Sequence, residues 1–71
     1  MTIGQKIKQL RKAHRFTQRK LADKLSVNHA LISKWEHDKN EPHLYSLIGM
    51  ADLFDVTLDE LCCYQKRKEQ I

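Results

Sequence analysis

The sequence predicts an all-α domain, folded as a compact bundle of five helices. Three observations predict this class. The 71 residues include only two glycines and one proline. Apolar residues recur at spacings of three and four rather than two, and short polar segments separate the helical stretches. A chain of this length forms one domain, so we expect a single domain over residues 1–64 and a short basic tail over 65–71.

The first helix begins after Thr2-x-x-Gln5, a pattern typical of a capping box. Three later starts place a capping residue, Thr17, Asn28 or Thr57, directly after an apolar residue. A second apolar residue follows four positions beyond each cap, which is the hydrophobic staple. Thr57-x-x-Glu60 adds another capping box. The predicted helices cover about Ile3–His14, Gln18–Leu25, His29–His37, His43–Phe54 and a segment that begins at Leu58.

Charge is divided unequally along the chain. Residues 1–40 contain ten Lys and Arg against three acidic residues, a net charge of +7. Residues 41–65 contain no Lys or Arg and five acidic residues, a net charge of −5. Lys and Arg could simply solvate helix surfaces, but that explains the total and not the segregation. The pattern favours a polyanion at the first half, with the acidic half facing away.

Several classes of protein are disfavoured. No apolar run approaches the roughly 20 residues that cross a bilayer, and the start lacks the apolar block of a secretion signal. The two cysteines, Cys62 and Cys63, are adjacent, which is a poor spacing for a bridge within one chain. We therefore expect a reduced, cytoplasmic protein without a membrane partner.

Metal binding and catalysis are likewise not indicated. The sequence has no Cys-x-x-Cys pair, no glycine-rich phosphate loop and no nucleophile–base pair. The four histidines fall on three predicted helices, without the close, regular spacing of a zinc site. We expect no metal, no cofactor and no enzymatic activity. A redox role for the two cysteines is the least favoured alternative.

The segment Thr17–Glu36 indicates function most directly. Its two short helices are separated only by residues 26–28, which is the sequence form of a helix-turn-helix. On a helical wheel of the second helix, Ile32, Trp35 and Glu36 share one side. The other side, Ala30, Ser33, Lys34 and His37, with His29 in the first turn, contains no bulky apolar residue. Such a face can lie against base edges, although solvation of an exposed surface explains it too.

The chain resembles the Xre/phage-repressor (Cro/C1-type) family of helix-turn-helix regulators over residues 3–62. The matching residues include Thr17-Gln18, Leu21-Ala22, Val27, Ile32-Ser33, Trp35-Glu36 and Pro42. The resemblance implies a lambda-repressor-like fold, with the helix-turn-helix formed by helices 2 and 3. It also implies binding to a double-stranded DNA operator, most simply as a homodimeric repressor that reads an inverted repeat. The alternative is an antitoxin or adaptor that mainly binds a partner protein and autoregulates its operon.

The resemblance also assigns roles to single residues. It implies base contacts by His29, Ala30 and Lys34, with Ser33 beside them, and a phosphate clamp at Gln18. A structural ion pair is implied between Arg11 and Glu36. The other expected phosphate contacts are Thr17, Arg19, His37, Lys39 and Asn40. Surplus apolar residues predict a dimer surface in the C-terminal half at Leu53, Leu58 and Cys62.

Three residues depart from the family pattern at turns. Arg15, Ser26 and Asp38 stand at positions where the family commonly has glycine. Glycine is common there because helices often end with one residue in the left-handed conformation. Aspartate tolerates that conformation and arginine does so poorly.

Overall fold

A computed structural model describes residues 1–63, and these residues form five helices without a strand. The helices are α1 (Ile3–Ala13), α2 (Gln18–Leu25), α3 (His29–Glu36), α4 (Leu44–Phe54) and α5 (Leu58–Leu61). The predicted all-α, five-helix fold is confirmed. The tail, residues 65–71, lies outside the described residues. None of the five helices is long and apolar enough to span a membrane.

Three of the predicted helices extended one residue beyond the observed helix at one end. His14 and His37 follow α1 and α3 as C-terminal caps, and His43 precedes α4 as its N-terminal cap. Each cap shares part of the helical hydrogen bonding of its neighbours, so periodicity alone does not separate it from the helix.

The core is built from one apolar face of every helix. α3 packs against both α1 and α2, and α5 closes the bundle against α1 and α4. The buried apolar residues are Ile7, Leu21, Ala22, Ile32, Trp35, Met50, Ala51, Phe54 and Leu61. Because α3 packs against two helices, its orientation is fixed on two sides.

The capping signals are formed at the predicted positions, with one exception. Thr2 accepts a hydrogen bond from the Gln5 amide at 3.1 Å and returns one to the Gln5 side chain at 3.0 Å. Thr57 accepts from the Glu60 amide at 3.1 Å, but the predicted return bond, from the Thr57 amide to the Glu60 carboxylate, is not formed. The Glu60 carboxylate instead lies 3.9 Å from Nζ of Lys6. The Glu60 side chain is thus directed toward α1 and not toward the Thr57 amide.

The helix ends have an unusual feature in common. Each of the four longer helices is followed by a non-glycine residue in the left-handed conformation. Two backbone hydrogen bonds close the end of α1, from the Arg15 amide to Lys12 at 2.9 Å and from the Phe16 amide to Arg11 at 3.0 Å. The residues with positive φ are Arg15, Ser26, Asp38 and Asp55, together with Cys63 after α5. Arg15, Ser26 and Asp38, which stand where the family commonly has glycine, thus adopt the left-handed conformation that glycine favours.

Candidate nucleic-acid interface

The helix α3, from which base contacts are expected, has one buried and one mostly exposed face. Ile32, Trp35 and Glu36 are buried in the bundle. His29, Ala30, Lys34 and His37 are exposed, and Ser33 is half-buried at the boundary. The outer face therefore presents two imidazoles, a methyl group, an ammonium and a hydroxyl. Lysine, serine and alanine are among the side chains that contact base edges in a major groove.

A buried ion pair fixes the inner face of α3. Nε of Arg11 lies 2.5 Å from Oε2 of Glu36, and the second guanidinium nitrogen donates to Oε1 at 3.3 Å. The remaining Arg11 nitrogen donates to the Phe16 carbonyl at 2.8 Å. The guanidinium is thus satisfied by a carboxylate and a turn carbonyl, the arrangement that a buried charge requires.

Gln18 joins the same carboxylate. Its side-chain Nε2 donates to Oε1 of Glu36 at 3.0 Å. The predicted role of Gln18 was a contact with the DNA backbone, and the prediction missed this bond, since no local pattern relates residues eighteen positions apart. The amide nitrogen carries a second hydrogen, so it can bind Glu36 and still donate outward. Glu36 therefore holds α1, α2 and α3 in one orientation.

The expected phosphate contacts lie at two helix ends, the start of α2 and the end of α3. Thr17 caps α2 by accepting from the Lys20 amide at 3.0 Å, and Arg19 is exposed in the first turn. The first amides of a helix have no partner within it and favour an anion. Lys39 and Asn40, just after α3, are exposed. Exposed cationic and polar side chains are thus present at the start of α2 and just after α3.

The sequence model of a protein family described as helix-turn-helix matches residues 7–61 of this chain. The chain belongs to this helix-turn-helix family, of the Xre and phage-repressor type. The predicted resemblance is confirmed. It rests on a match that includes every described helix except the start of α1.

Among relatives of this helix-turn-helix protein is the transcriptional activator BcrR of Enterococcus faecalis, which is 43% identical over 61 residues. The matched region covers 86% of this chain and 30% of BcrR. The P22 c2 repressor in complex with a synthetic operator has a TM-score of 0.81 at 26% identity, covering 86% of this chain and 92% of that one. SinR in complex with DNA has a TM-score of 0.77 at 31% identity, covering 84% and 97%. The chain spans about half or less of the curated relatives that it matches.

His37 has a fixed hydrogen-bonding role within the helix-turn-helix. Its Nδ1 lies 2.8 Å from the Ser33 carbonyl oxygen. A carbonyl oxygen can only accept, so Nδ1 carries the hydrogen. Nε2 is therefore an acceptor in the neutral ring and becomes a donor only in the imidazolium. While Nδ1 donates to Ser33, a hydrogen bond from Nε2 to a phosphate oxygen would need a hydrogen on that nitrogen as well.

The residues expected at a dimer surface differ in exposure. Leu58 is 38% exposed, whereas Leu53 is half-buried against the core and Cys62 is half-buried after α5. The first half of α4 exposes two further large apolar side chains, Leu44 and Tyr45, and Tyr45 is 86% exposed. The sequence-based prediction took its surplus apolar residues from the end of the fourth helix and from the fifth, and did not include these two.

The groups considered for metal or redox chemistry lie apart. Within residues 1–63, His, Cys, Asp and Glu do not gather in clusters of three or more. The His14 ring lies 5.0 Å from the Phe54 ring, between centroids, and so belongs to the packing around the core. Cys62 and Cys63 are free thiols. Burial, followed by the nearby Cys63 and Asp59, raises the pKa of the Cys62 thiol.

Proposed function

We propose that this chain is a sequence-specific DNA-binding regulator that places α3 in the major groove. One observation carries the proposal. The inner face of α3 is fully used by the core and by the Arg11–Glu36–Gln18 network, while its outer face is exposed, polar and set in the basic half of the chain. The P22 c2 repressor and SinR structures, both solved with DNA, support the same use of the fold.

We propose that the outer face of α3 contacts bases and that residues around it contact phosphates. Lys34 suits the O6 and N7 acceptors of guanine, Ala30 suits a thymine methyl, and His29 can donate or accept at a base edge, with Ser33 beside them. Gln18, Thr17 and Arg19 would position the duplex from the α2 start. The contacts proposed from the end of α3 and the segment after it are His37, Lys39 and Asn40. Phosphate contacts fix the register and base contacts supply the sequence preference.

The proposal extends to a homodimeric repressor. Two copies joined through the C-terminal half, at Leu53, Leu58 and Cys62, would present their α3 helices about 34 Å apart and read an inverted repeat with half-sites roughly 10 bp apart. The acidic residues of that half would lie away from the duplex. P22 c2 is described as a repressor, which supports this direction of regulation.

Selection of bound sequences from random DNA, followed by affinity against salt, tests DNA binding. Each phosphate contact contributes about −0.9 to the slope of log K against log salt, so about six contacts in a dimer give a slope near −5. Charge reversal at the exposed Asp52 in the acidic half should change the slope little. Flat salt dependence, or no enriched sequence, would contradict the proposal and favour a partner protein as the main ligand.

Sedimentation of matched variants tests the dimer. Leu58 and Leu44 are both exposed and are the first residues of α5 and α4. A glutamate at either position suits a helix N-terminus, so neither variant should lose its fold. Leu58→Glu should dissociate the dimer, and Leu44→Glu should not. A wild-type monomer at tens of micromolar, or dissociation by Leu44→Glu alone, would refute the proposed interface.

A further inference from the structure

The carboxylate of Asp38 joins the end of α3 to the start of α1. Its Oδ2 accepts a hydrogen bond from the Thr2 hydroxyl at 2.7 Å, and its Oδ1 accepts from the Gly4 backbone amide at 3.1 Å. These partners lie more than thirty residues away in the chain. Asp38 thus supplies an acceptor to the first turn of α1, where helix amides otherwise lack one.

The backbone of α1 at Gly4 lies so close to the Asp38 carboxylate that no side chain fits between them. A Cβ on Gly4 would lie 2.6 Å from Oδ1 of Asp38 and would overlap the Trp35 carbonyl oxygen. Thr2 is held in turn by its capping box with Gln5. The Asp38 carboxylate therefore sits in a site that α1 shapes for it, and its position is set by the bundle rather than by the turn alone.

The Asp38 backbone fixes the chain that follows. Asp38 has φ of 57° and donates its amide to the Trp35 carbonyl at 3.1 Å, and the Lys39 amide donates to Lys34 at 2.9 Å. The next side chains, Lys39 and Asn40, are proposed phosphate contacts. A glycine would accept the left-handed backbone more readily but would leave this segment without its attachment to α1.

We propose that Asp38 is a positioning residue for DNA-backbone binding: its carboxylate attaches the Lys39–Asn40 segment to α1 and so fixes where these donors meet phosphates. A carboxylate facing a phosphate would oppose binding. The Thr2 hydroxyl and the Gly4 amide, at the start of α1, donate hydrogen bonds to this carboxylate within the protein instead. The inference rests on the proposed DNA-binding function and specifies a residue through which that surface is built.

A double-mutant cycle on the selected DNA site tests the inference. Affinity is measured for the wild type, Lys39→Ala, Asp38→Gly and the double variant, by fluorescence anisotropy at several salt concentrations. Lys39→Ala should cost at least about threefold more affinity in the wild type than in the Asp38→Gly background, as expected for coupled neighbours. Asp38→Gly alone should reduce the magnitude of the salt slope by about 0.9 per subunit, although it removes no cation.

Asp55→Gly is the matched control. Asp55 ends α4 with the same left-handed backbone, φ of 57°, and its carboxylate makes no hydrogen bond or ion pair to any residue between 1 and 63. This variant should leave the affinity, the slope and the Lys39→Ala effect unchanged. Asp38→Asn keeps an acceptor for the Gly4 amide, so it should retain part of the coupling between positions 38 and 39. This variant also tests the proposal if Asp38→Gly folds poorly.

The outcomes separate the two proposals. A salt slope and a Lys39→Ala effect that are the same in the wild type, in Asp38→Asn and in Asp38→Gly would overturn the positioning role while leaving DNA binding intact. A wild-type protein without salt-dependent binding to DNA would instead refute the proposed function. Loss of coupling in Asp38→Gly, with Asp55→Gly unaffected, supports the inference.

Discussion

Arg11 and Glu36 form a buried, charge-assisted hydrogen bond between α1 and α3, with Nε of Arg11 2.5 Å from Oε2 of Glu36. The Gln18 amide occupies the other carboxylate oxygen at 3.0 Å. The Glu36 side chain thus connects α2 and α3, the helices of the proposed DNA-binding surface, to α1. The orientation of α3 depends on this connection as well as on apolar packing.

Arg11→Ala should destabilise the domain by about 3 kcal/mol or more, because it leaves the Glu36 carboxylate buried without its cationic partner. Urea denaturation without DNA measures the loss. Lys12→Ala, at an exposed neighbouring position, should change stability by less than about 0.5 kcal/mol. An unchanged stability of Arg11→Ala with weakened DNA binding would make Arg11 a phosphate ligand instead.

Gly4→Ala and Gly49→Ala should have opposite effects, although both replace a glycine within a helix. At Gly4 the added Cβ overlaps the Trp35 carbonyl oxygen, so we expect a net loss of about 1–3 kcal/mol. At Gly49 it meets only Cδ2 of Leu25 at 3.2 Å, the movable end of a side chain. Helix propensity then favours alanine by up to about 1 kcal/mol. Equal unfolding midpoints for the two variants would contradict the close approach of α1 to α3.

Arg15→Gly should stabilise the domain by about 1 kcal/mol, because Arg15 has φ of 61° and the left-handed conformation is costly for a residue with a Cβ. The Arg15 side chain makes no hydrogen bond or ion pair with the described residues. Ala13→Gly, at the last residue of α1, is the control and should destabilise. A lower midpoint for Arg15→Gly in urea would show that the turn is not strained.

Lys34→Ala and Gln18→Ala should weaken DNA binding in different ways. Loss of a base contact at Lys34 should cost about 1–3 kcal/mol per half-site and relax the preference at one base position. Loss of the Gln18 amide should weaken all sequences more evenly and also lower stability, since Glu36 loses a hydrogen bond. Binding profiles across operator variants distinguish them. The same profile change in both would refute the division between base and phosphate contacts.

Cys62 should react with iodoacetamide more slowly than Cys63 near pH 8. Burial raises the pKa of the Cys62 thiol above its usual value, so less of the reactive thiolate is present at a given pH. The reaction should accelerate as the pH approaches that raised pKa. Cys63→Ser and Cys62→Ser isolate the two thiols, and in urea their rates should converge. Faster reaction of Cys62 in the folded protein would contradict its burial.

Local sequence signals determined the helices and the two faces of α3. Thr2, Thr17 and Asn28 cap helices at the predicted positions, because a cap requires only amides two or three residues away. Periodicity correctly separated Ile32 and Trp35 from the exposed side of α3, since burial of an amphipathic helix follows from its own repeat. These properties depend on neighbours in the chain.

Only the tertiary structure decided which distant groups meet. Gln18 bonds to Glu36, Asp38 bonds to Thr2 and Gly4, and Glu60 pairs with Lys6 instead of completing its local capping box. No repeat or spacing encodes these contacts. They depend on the angles and distances at which the helices pack, and those follow from the shapes of all core side chains together. The sequence alone therefore determines the helices and their faces, whereas the packed bundle determines the polar contacts that orient them.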